Sequence, residues 1–314
     1  MENTVKPVSK RADALAENID SVVISLSLCV AAVYFSKTEA LLRIIFCVLA
    51  SVLSEFIFMK LILKRDFSSD LSSLLNGLVI SLLLPPAVPF YVCIVAAVFS
   101  VAVGVFPFGG FKNTPFLPSA LGVAFSAVAF KNELTAFPDG KDLSTLISEG
   151  KVPSADFFFV TDVLSGALPG AVGCSCILGL VGAAVYLLIR NRKSLVASSG
   201  YIISSAAFAF AFPRVSCGRF LSVFLELCSG CLLFTALGLI NNKVTCPEKG
   251  LRAFVYGLSA GLITMLMRYF SFSLTPEITA VLLMNALWPA LTGETVNRKH
   301  KPSAPKEKKE VSVQ

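Results

Sequence analysis

Charge is scarce in this chain. Only 15% of its residues are Asp, Glu, Lys or Arg, against 55% hydrophobic, and the mean hydropathy is +0.77. A soluble domain of this length could not hide so much apolar surface. No hydrophilic stretch is long enough to fold alone, so a single membrane domain is expected. The chain has one His, His300 in the tail, and one Trp, so a histidine metal centre is excluded from its interior. The opening residues MENTVKPVSKR are polar and basic, and no short apolar segment with a small-residue cleavage site follows them. No removable signal peptide is expected.

Cysteine is present but in no metal-binding pattern. There are nine, an odd number. Cys29, Cys47 and Cys93 fall inside apolar runs, where Cys acts as a small hydrophobe. The only close pairs are Cys174-x-Cys176 and Cys228-x-x-Cys231, with two readings: packing, or a cluster shared with a partner subunit. The net charge of +7 raises nucleic acid as a ligand. The cations instead gather at helix ends and in the tail RKHKPSAPKEKKE, as the positive-inside rule produces, and no nucleic-acid partner is expected.

What the chain has in abundance is apolar runs near spanning length, separated by Pro/Gly or charged connections. These read as an all-α polytopic membrane protein of about ten transmembrane helices embedded in a lipid bilayer. The expected helices are Ile19–Phe35, Ala40–Leu63, Leu71–Leu84, Val88–Phe106, Ser119–Phe130, Gly173–Ile189, Val196–Phe212, Phe220–Ile240, Leu251–Phe270 and Pro276–Leu291. The domain organisation is a cytoplasmic segment 1–18, a membrane domain 19–292 and a basic cytoplasmic tail 293–314. Lys131 to Pro169 forms an extracytoplasmic loop (131–169). With both termini cytoplasmic, most Lys and Arg fall on the cytoplasmic side; only PRVSCGR, with Arg214 and Arg219, opposes this.

Ten helices divide as five plus five, and an odd number per half makes the halves an inverted repeat. The stretch Asp70–Gly122 stands out. A short apolar helix breaks at Pro85-Pro86, a second run follows, and a Gly/Pro/Asn-rich loop precedes a third. The eighth helix carries a polar LELCSG interruption and the tenth ends at NALWPAL. Broken backbone at membrane depth needs protein or a water-filled cavity around it, and interrupted segments in both halves point to a midplane site. Glu55, Asn76, Glu226 and Asn285 are the polar residues inside the spans. Such groups are functional candidates, or structural ones if Glu55 and Glu226 lie near an interface or a partner such as Arg268.

At DLSSLLNGLVISLLLPPAVPF and FGGFKNTPFLPSALGVAF the chain resembles the D-type membrane component of the Rnf electron-transport complex. It is similar, too, to that component's relative, the B-type component of the sodium-pumping NADH:quinone reductase. The resemblance rests on Asp70, Ser72, Gly77, Leu84, Pro85, Pro86, Phe108, Gly109, Gly110, Pro115, Phe116 and Pro118. It continues in PGAVGCSCILGLVGAAVYLLIR (Pro169–Arg190), VTCPEKG (Val244–Gly250) and LLMNALWPAL (Leu282–Leu291). It implies a fold like the urea and ammonium transporters, in a prokaryotic cytoplasmic (inner) membrane. It also implies partner Rnf subunits (A, C, E and G-like), and electron transfer through flavin coupled to ion translocation.

The cofactor so implied is FMN, joined by a phosphodiester to a Thr in an extracytoplasmic D-G-x-S-G-A-T loop, with a second, non-covalent flavin (riboflavin or FMN) in the membrane part. Aligning Asp139-Gly140 of FPDGKDLSTLISEG on the D-G places Thr145 on the acceptor, with Asp142 and Leu143 where Ser-Gly stands in the family. The competing segment DVLSGALPG keeps Ser165-Gly166-Ala167 but has Leu168 at the acceptor position. The alternative for Thr145 is an ordinary turn-rich loop. Val105, Thr114, Leu117 and Asn242 stand where the family has Lys, Asn, Asn and Asp, so polar equipment is thinned on a kept scaffold. Two rival functions remain: a transporter or channel on the same broken helices, and a structural subunit without its flavin.

Overall fold

The computed structural model describes residues 6–62, 71–85, 87–111, 113–135, 143–150, 157–166, 170–171, 173–174, 176–190, 195–215, 218–242, 245–247, 250–270 and 273–292, with no side-chain description at 6–18, 35–39, 61–62, 157–158 and 160. Among these residues there is no strand. The elements are α1 (Lys6–Ile57, ending in a π-helical turn Phe58–Ile62), α2 (Ser72–Leu83), α3 (Phe90–Gly104), α4 (Pro118–Ala129), α5 (Lys131–Thr135), α6 (Leu143–Ser148), α7 (Phe157–Ser165), α8 (Ile177–Arg190), α9 (Leu195–Ala211), α10 (Arg219–Cys228), α11 (Leu232–Phe234), α12 (Gly250–Phe270) and α13 (Pro276–Thr292).

The expected turn at Ser36–Glu39 does not interrupt the helical assignment of α1. Ala32 and Ala40 nevertheless pack together, and Cys29 lies within electrostatic reach of Cys47. A straight helix would hold Ala32 and Ala40 about 12 Å apart at its ~1.5 Å rise. The chain therefore doubles back between them, giving limbs Ile19–Tyr34 and Ala40–Lys60. The helix also runs back to Lys6, into the segment expected to be a free cytoplasmic start.

Proline and glycine set the other ends. Leu84, before Pro85, is extended and closes α2, because a residue preceding Pro disfavours the helical region. Pro118 opens α4 at a position whose missing N–H costs nothing. In the expected loop 131–169 the described residues are largely helical. Leu143 and Ile147 of α6 and Val163 of α7 form a small second core with Ile177, Val215 and Leu225.

Among the described residues three helices are long and apolar enough to cross a membrane: Ala40–Lys60, Phe90–Phe108 and Gly250–Phe270. Arg219–Cys228 and Leu232–Leu239 together make a fourth, bent by 67° at its break. Large apolar side chains point outward in helical stripes, such as Ile19, Val23, Leu26 and Val30, and Leu251, Val255, Leu258 and Leu262. Ser51, Ser100, Ser205, Glu226, Thr235, Thr264 and Arg268 are buried. Apolar outside with polar groups inside is the arrangement of a protein solvated by lipid.

Within the first half the second limb of α1 packs on α2 and α3, and α3 on α4. In the second half α9 packs on α10 and α12, and α12 on α13. The halves meet where the first limb of α1 touches α8 and where α4 touches α13. The first of these contacts is antiparallel. Asp20 near the start of the limb takes the Tyr186 hydroxyl at 3.0 Å and Arg190 at 2.5 Å, while Leu28 lies against Gly179.

Candidate functional site

The densest polar chemistry lies at the break between α10 and α11. The first half-helix ends at Cys228, leaving carbonyls that α10 cannot satisfy internally. Gly230 then turns the chain with φ +58°, the left-handed region that favours glycine. An added Cβ there would also lie 2.8 Å from both Arg268 Nη2 and Glu277 Oε1.

Arg268, near the end of α12, fills the break. Its Nη1 donates to the Glu226 carbonyl and the Ser229 Oγ, each at 2.9 Å, and reaches Glu226 Oε2 at 3.3 Å. Its Nη2 donates to the Ser229 carbonyl at 2.7 Å, and its Nε to Glu277 Oε1 at 2.9 Å, with Nη2 on that same oxygen. Arg214 closes the other side of Glu226, with Nε and Nη2 both 2.8 Å from Oε1, while its guanidinium lies 4.1 Å from the Tyr269 ring centroid. Two cations and two carboxylates make a neutral knot. A guanidinium at the C-terminal end of a half-helix also opposes its negative dipole end.

Glu226 is thus held by the partner its alternative reading named, Arg268, and by Arg214, while Arg268 also carries Glu277, which the sequence did not single out. Glu277 follows Pro276 and reads there as an ordinary acidic first-turn residue. Arg214 sits in PRVSCGR, where it reads as a loop charge.

Of the other spans' polar residues, Asn76 bridges three elements, donating to Ser51 Oγ at 3.1 Å and Ser100 Oγ at 2.8 Å. The two hydroxyls pass their own protons to the Ser73 and Ala97 carbonyls. Asn285, oriented so that its amide is satisfied, donates to the Val281 carbonyl (3.2 Å) and the Tyr256 hydroxyl (2.8 Å) and accepts from the Leu117 N–H (3.3 Å). It ties α12, α13 and the start of α4 together. Glu55 is half-buried near the end of the second limb. Asp70, Pro86, Asp139, Gly140, Asp142 and Leu168 lie outside the described residues.

Thr145 is half-buried on α6, between the buried Leu143 and Ile147. Its carbonyl takes the Ser148 hydroxyl at 2.8 Å and the Glu149 N–H at 3.0 Å. Through Leu143 and Ile147 this helix packs on α10, the half-helix that carries Glu226. Cys174, in the turn before α8, and Cys231, at the break, are both buried in the main core. Among the described residues no group of three or more metal-ligating side chains converges.

Outward apolar stripes, buried ion pairs and a bent span define a polytopic helical membrane protein. Residues 3–301 match the model of the NQR2, RnfD, RnfE family, and the chain belongs to that family. It is 27% identical over 278 residues to the D subunit of the ion-translocating oxidoreductase complex of Methanosarcina acetivorans, covering 88% of each chain. To the D subunit of the Na(+)-translocating ferredoxin:NAD(+) oxidoreductase complex of Acetobacterium woodii it is 25% identical over 300 residues, covering 90% of each. The D subunit of the ion-translocating oxidoreductase complex of Pseudomonas paraeruginosa matches at 26% over 251 residues, covering 72% of this chain and 73% of that one.

Proposed function

We propose that this chain is the D subunit of an Rnf-type complex, carrying electrons through flavin within the membrane and coupling them to ion translocation. The observation that carries the reading is the family match along 3–301, with relatives of that kind covered over most of their length. Its partners are the other membrane subunits of such a complex (A, C, E and G-like), which supply the entry and exit points that one bundle lacks. The membrane is the prokaryotic cytoplasmic one, with segment 1–18 and tail 293–314 on the cytoplasmic side and 131–169 outside. The membrane domain 19–292 is a ten-segment bundle in two inverted halves. Its support is the matched packing within each half and the antiparallel contact of the first limb with α8.

Thr145 is the proposed attachment point of FMN. The residues around it fit such a group. The side chain is half-buried rather than enclosed, and Val215 of its small core also walls an open cleft with Arg214, Gly218 and Arg219. Arg219 is the cation of that cleft suited to a phosphate, Arg214 being committed to Glu226. When bound, the flavin would supply one-electron chemistry, while the chain holds its phosphate, orients the ring system and excludes water. A second, non-covalent flavin is proposed for the membrane part.

Protein purified from its native host, denatured in acid and run on a gel, should fluoresce under ultraviolet light. The band should go dark in Thr145→Ala while the chain still inserts. A dark wild-type band contradicts covalent flavin and favours the structural subunit, and a fluorescent Thr145→Ala band moves the attachment elsewhere.

A further inference from the structure

Among the described residues, several buried side-chain oxygens without a hydrogen-bond partner lie on α9 and on elements packed against it. They are Ser205 Oγ on α9, Ser222 Oγ on α10, and Thr235 Oγ1 and Asn241 Oδ1 on the far part of the bent span. In native proteins such groups are satisfied by buried water. Partnered hydroxyls lie among them. Asn241 Nδ2 donates to Ser198 Oγ at 2.7 Å, and Ser198 Oγ donates to the Ala236 carbonyl at 2.6 Å. About one turn further along α9, the Tyr201 hydroxyl donates to Thr264 Oγ1 at 3.0 Å. Ser205 comes a turn later, its Oγ 3.0 Å from where a Cβ on Gly261 would stand. Helices α9 and α12 run in the same direction, Ala197 lying against Gly257 and Tyr201 against Gly261. At ~1.5 Å per residue, the level of Gly257 is about 16 Å from that of Arg268. The polar column thus leads from Asn241 up to the ion knot.

The knot closes the far end of this column, and its charges fall into two pairs. Arg268 places Nε and Nη2 on Glu277 Oε1 and holds the Glu226 and Ser229 carbonyls, but it meets the Glu226 carboxylate only at 3.3 Å. Arg214 puts Nε and Nη2 on Glu226 Oε1, both at 2.8 Å. Of the four charged groups, Arg214 is the one that also lines the open cleft with Pro213, Val215, Gly218 and Arg219. Glu226 therefore has buried hydroxyls on one side and a solvent-facing cation on the other.

We propose that the second half contains a proton wire running from Asn241 to the 213–219 cleft, with Glu226 as its terminal acceptor and Arg214 as its gate. In the closed state Arg214 covers Glu226 Oε1. On opening, Arg214 swings into the cleft and a proton passes from the adjoining water to Oε1, leaving a neutral carboxyl. Arg268 and Glu277 remain behind as a neutral pair. When Arg214 returns, that proton leaves to the cleft, and the wire regains one from the Asn241 end. Neither state strands an unpaired buried charge, which would cost several kcal/mol on the usual scale. Ser222, one turn before Glu226 on the buried face of α10, is placed to hold the delivering water.

Packing along the column selects a proton over a metal ion. A Cβ on Gly257 would meet the Ala197 carbonyl oxygen, and one on Gly261 the Tyr201 carbonyl. Contacts this close admit single waters beside the unpaired oxygens but leave no passage for a hydrated Na⁺. A proton needs only oxygens joined by hydrogen bonds, and chains of hydroxyls ending on a buried carboxylate are a recurrent form of membrane proton relay. The step involves neither flavin nor a partner chain, so it stands apart from the function proposed above.

The test places the full chain in lipid vesicles holding a pH-sensitive dye, with valinomycin and K⁺ clamping the potential. Wild type should hold an imposed pH gradient, and Arg214→Ala should dissipate it. Adding Tyr201→Phe or Glu226→Gln to Arg214→Ala should restore the barrier. Because Gln imitates the neutral carboxyl, Glu226→Gln should also recover stability lost in Arg214→Ala, read by unfolding in detergent. A folded Arg214→Ala chain that holds the gradient overturns the proposal. So does a leak that survives both second changes, or one that carries radioactive Na⁺ as readily as protons. If Arg214→Ala does not fold, infrared difference spectra between neutral and acid pH decide. Wild type should show a buried carboxylic-acid band that Glu226→Gln lacks, and a wild-type spectrum without that band defeats the proposal. Proton leak without flavin would leave this inference standing and count against the earlier reading, and flavin without the leak would do the reverse.

Discussion

Arg268 donates from all three of its guanidinium nitrogens, with acceptors contributed by three different segments. A lysine there offers three protons from a single point and cannot reproduce that fork. Removing the guanidinium leaves Glu226 and Glu277 buried without their shared cation. Arg268→Ala should therefore cost about 3–5 kcal/mol of stability, with Arg268→Lys recovering only part, as measured by unfolding in detergent. Loss of under about 1 kcal/mol would show the knot to be solvated. Outside the spans, burial pushes the Cys246 thiol up to about 11 from its ordinary 9.0. The thiolate is the reactive form, so at pH 8 its alkylation should run about a hundredfold slower than a free thiol's and climb steeply above pH 10. The sequence exposed Glu226 and Arg268 as rare intramembrane charges. It could not expose Glu277, an acidic residue after Pro with an ordinary local explanation, and it marked Arg214 only as a cation on the unexpected side, not as a partner of Glu226.

Helix positions were legible because apolar runs, Pro-Pro, Pro118 and the FGG turn act locally. Two element-scale features were not. The α1 hairpin keeps its helical assignment past Ser36–Glu39, and α6 and α7 fold onto α10 through long-range apolar contacts that a polar-looking loop does not advertise. The contact between α9 and α12 is likewise a matter of partner choice. A Cβ on Gly257 would fall on the Ala197 carbonyl oxygen, and one on Gly200 on that of Phe254. Each helix thus offers a glycine to the other's backbone, the close approach that membrane helices use in place of a hydrophobic driving force. Gly257→Ala should destabilise by about 1–3 kcal/mol, and the Gly200→Ala, Gly257→Ala double variant by more than either single change. The check is thermal unfolding in a fixed detergent. A neutral Gly257→Ala would mean the two helices part freely.

At the scale of the whole molecule, broken segments in both halves were readable from Pro85-Pro86 and LELCSG, and the fastening of Gly173 onto the Leu82 carbonyl beside the first break was not. If the bundle is inverted about its middle, tags at the N-terminus and after Gln314 should be cleaved from the same, cytoplasmic, side, and a tag inserted beside Gly150 from the other. The central claim, that the chain moves ions only as part of an electron-transferring complex, meets its most direct test in vesicles. The chain alone should take up no ion or solute. The assembled complex should take up ions only while reductant is supplied, and lose both electron transfer and uptake when this chain is omitted. Ion or solute flux through vesicles holding this chain alone would contradict the account and favour a transporter.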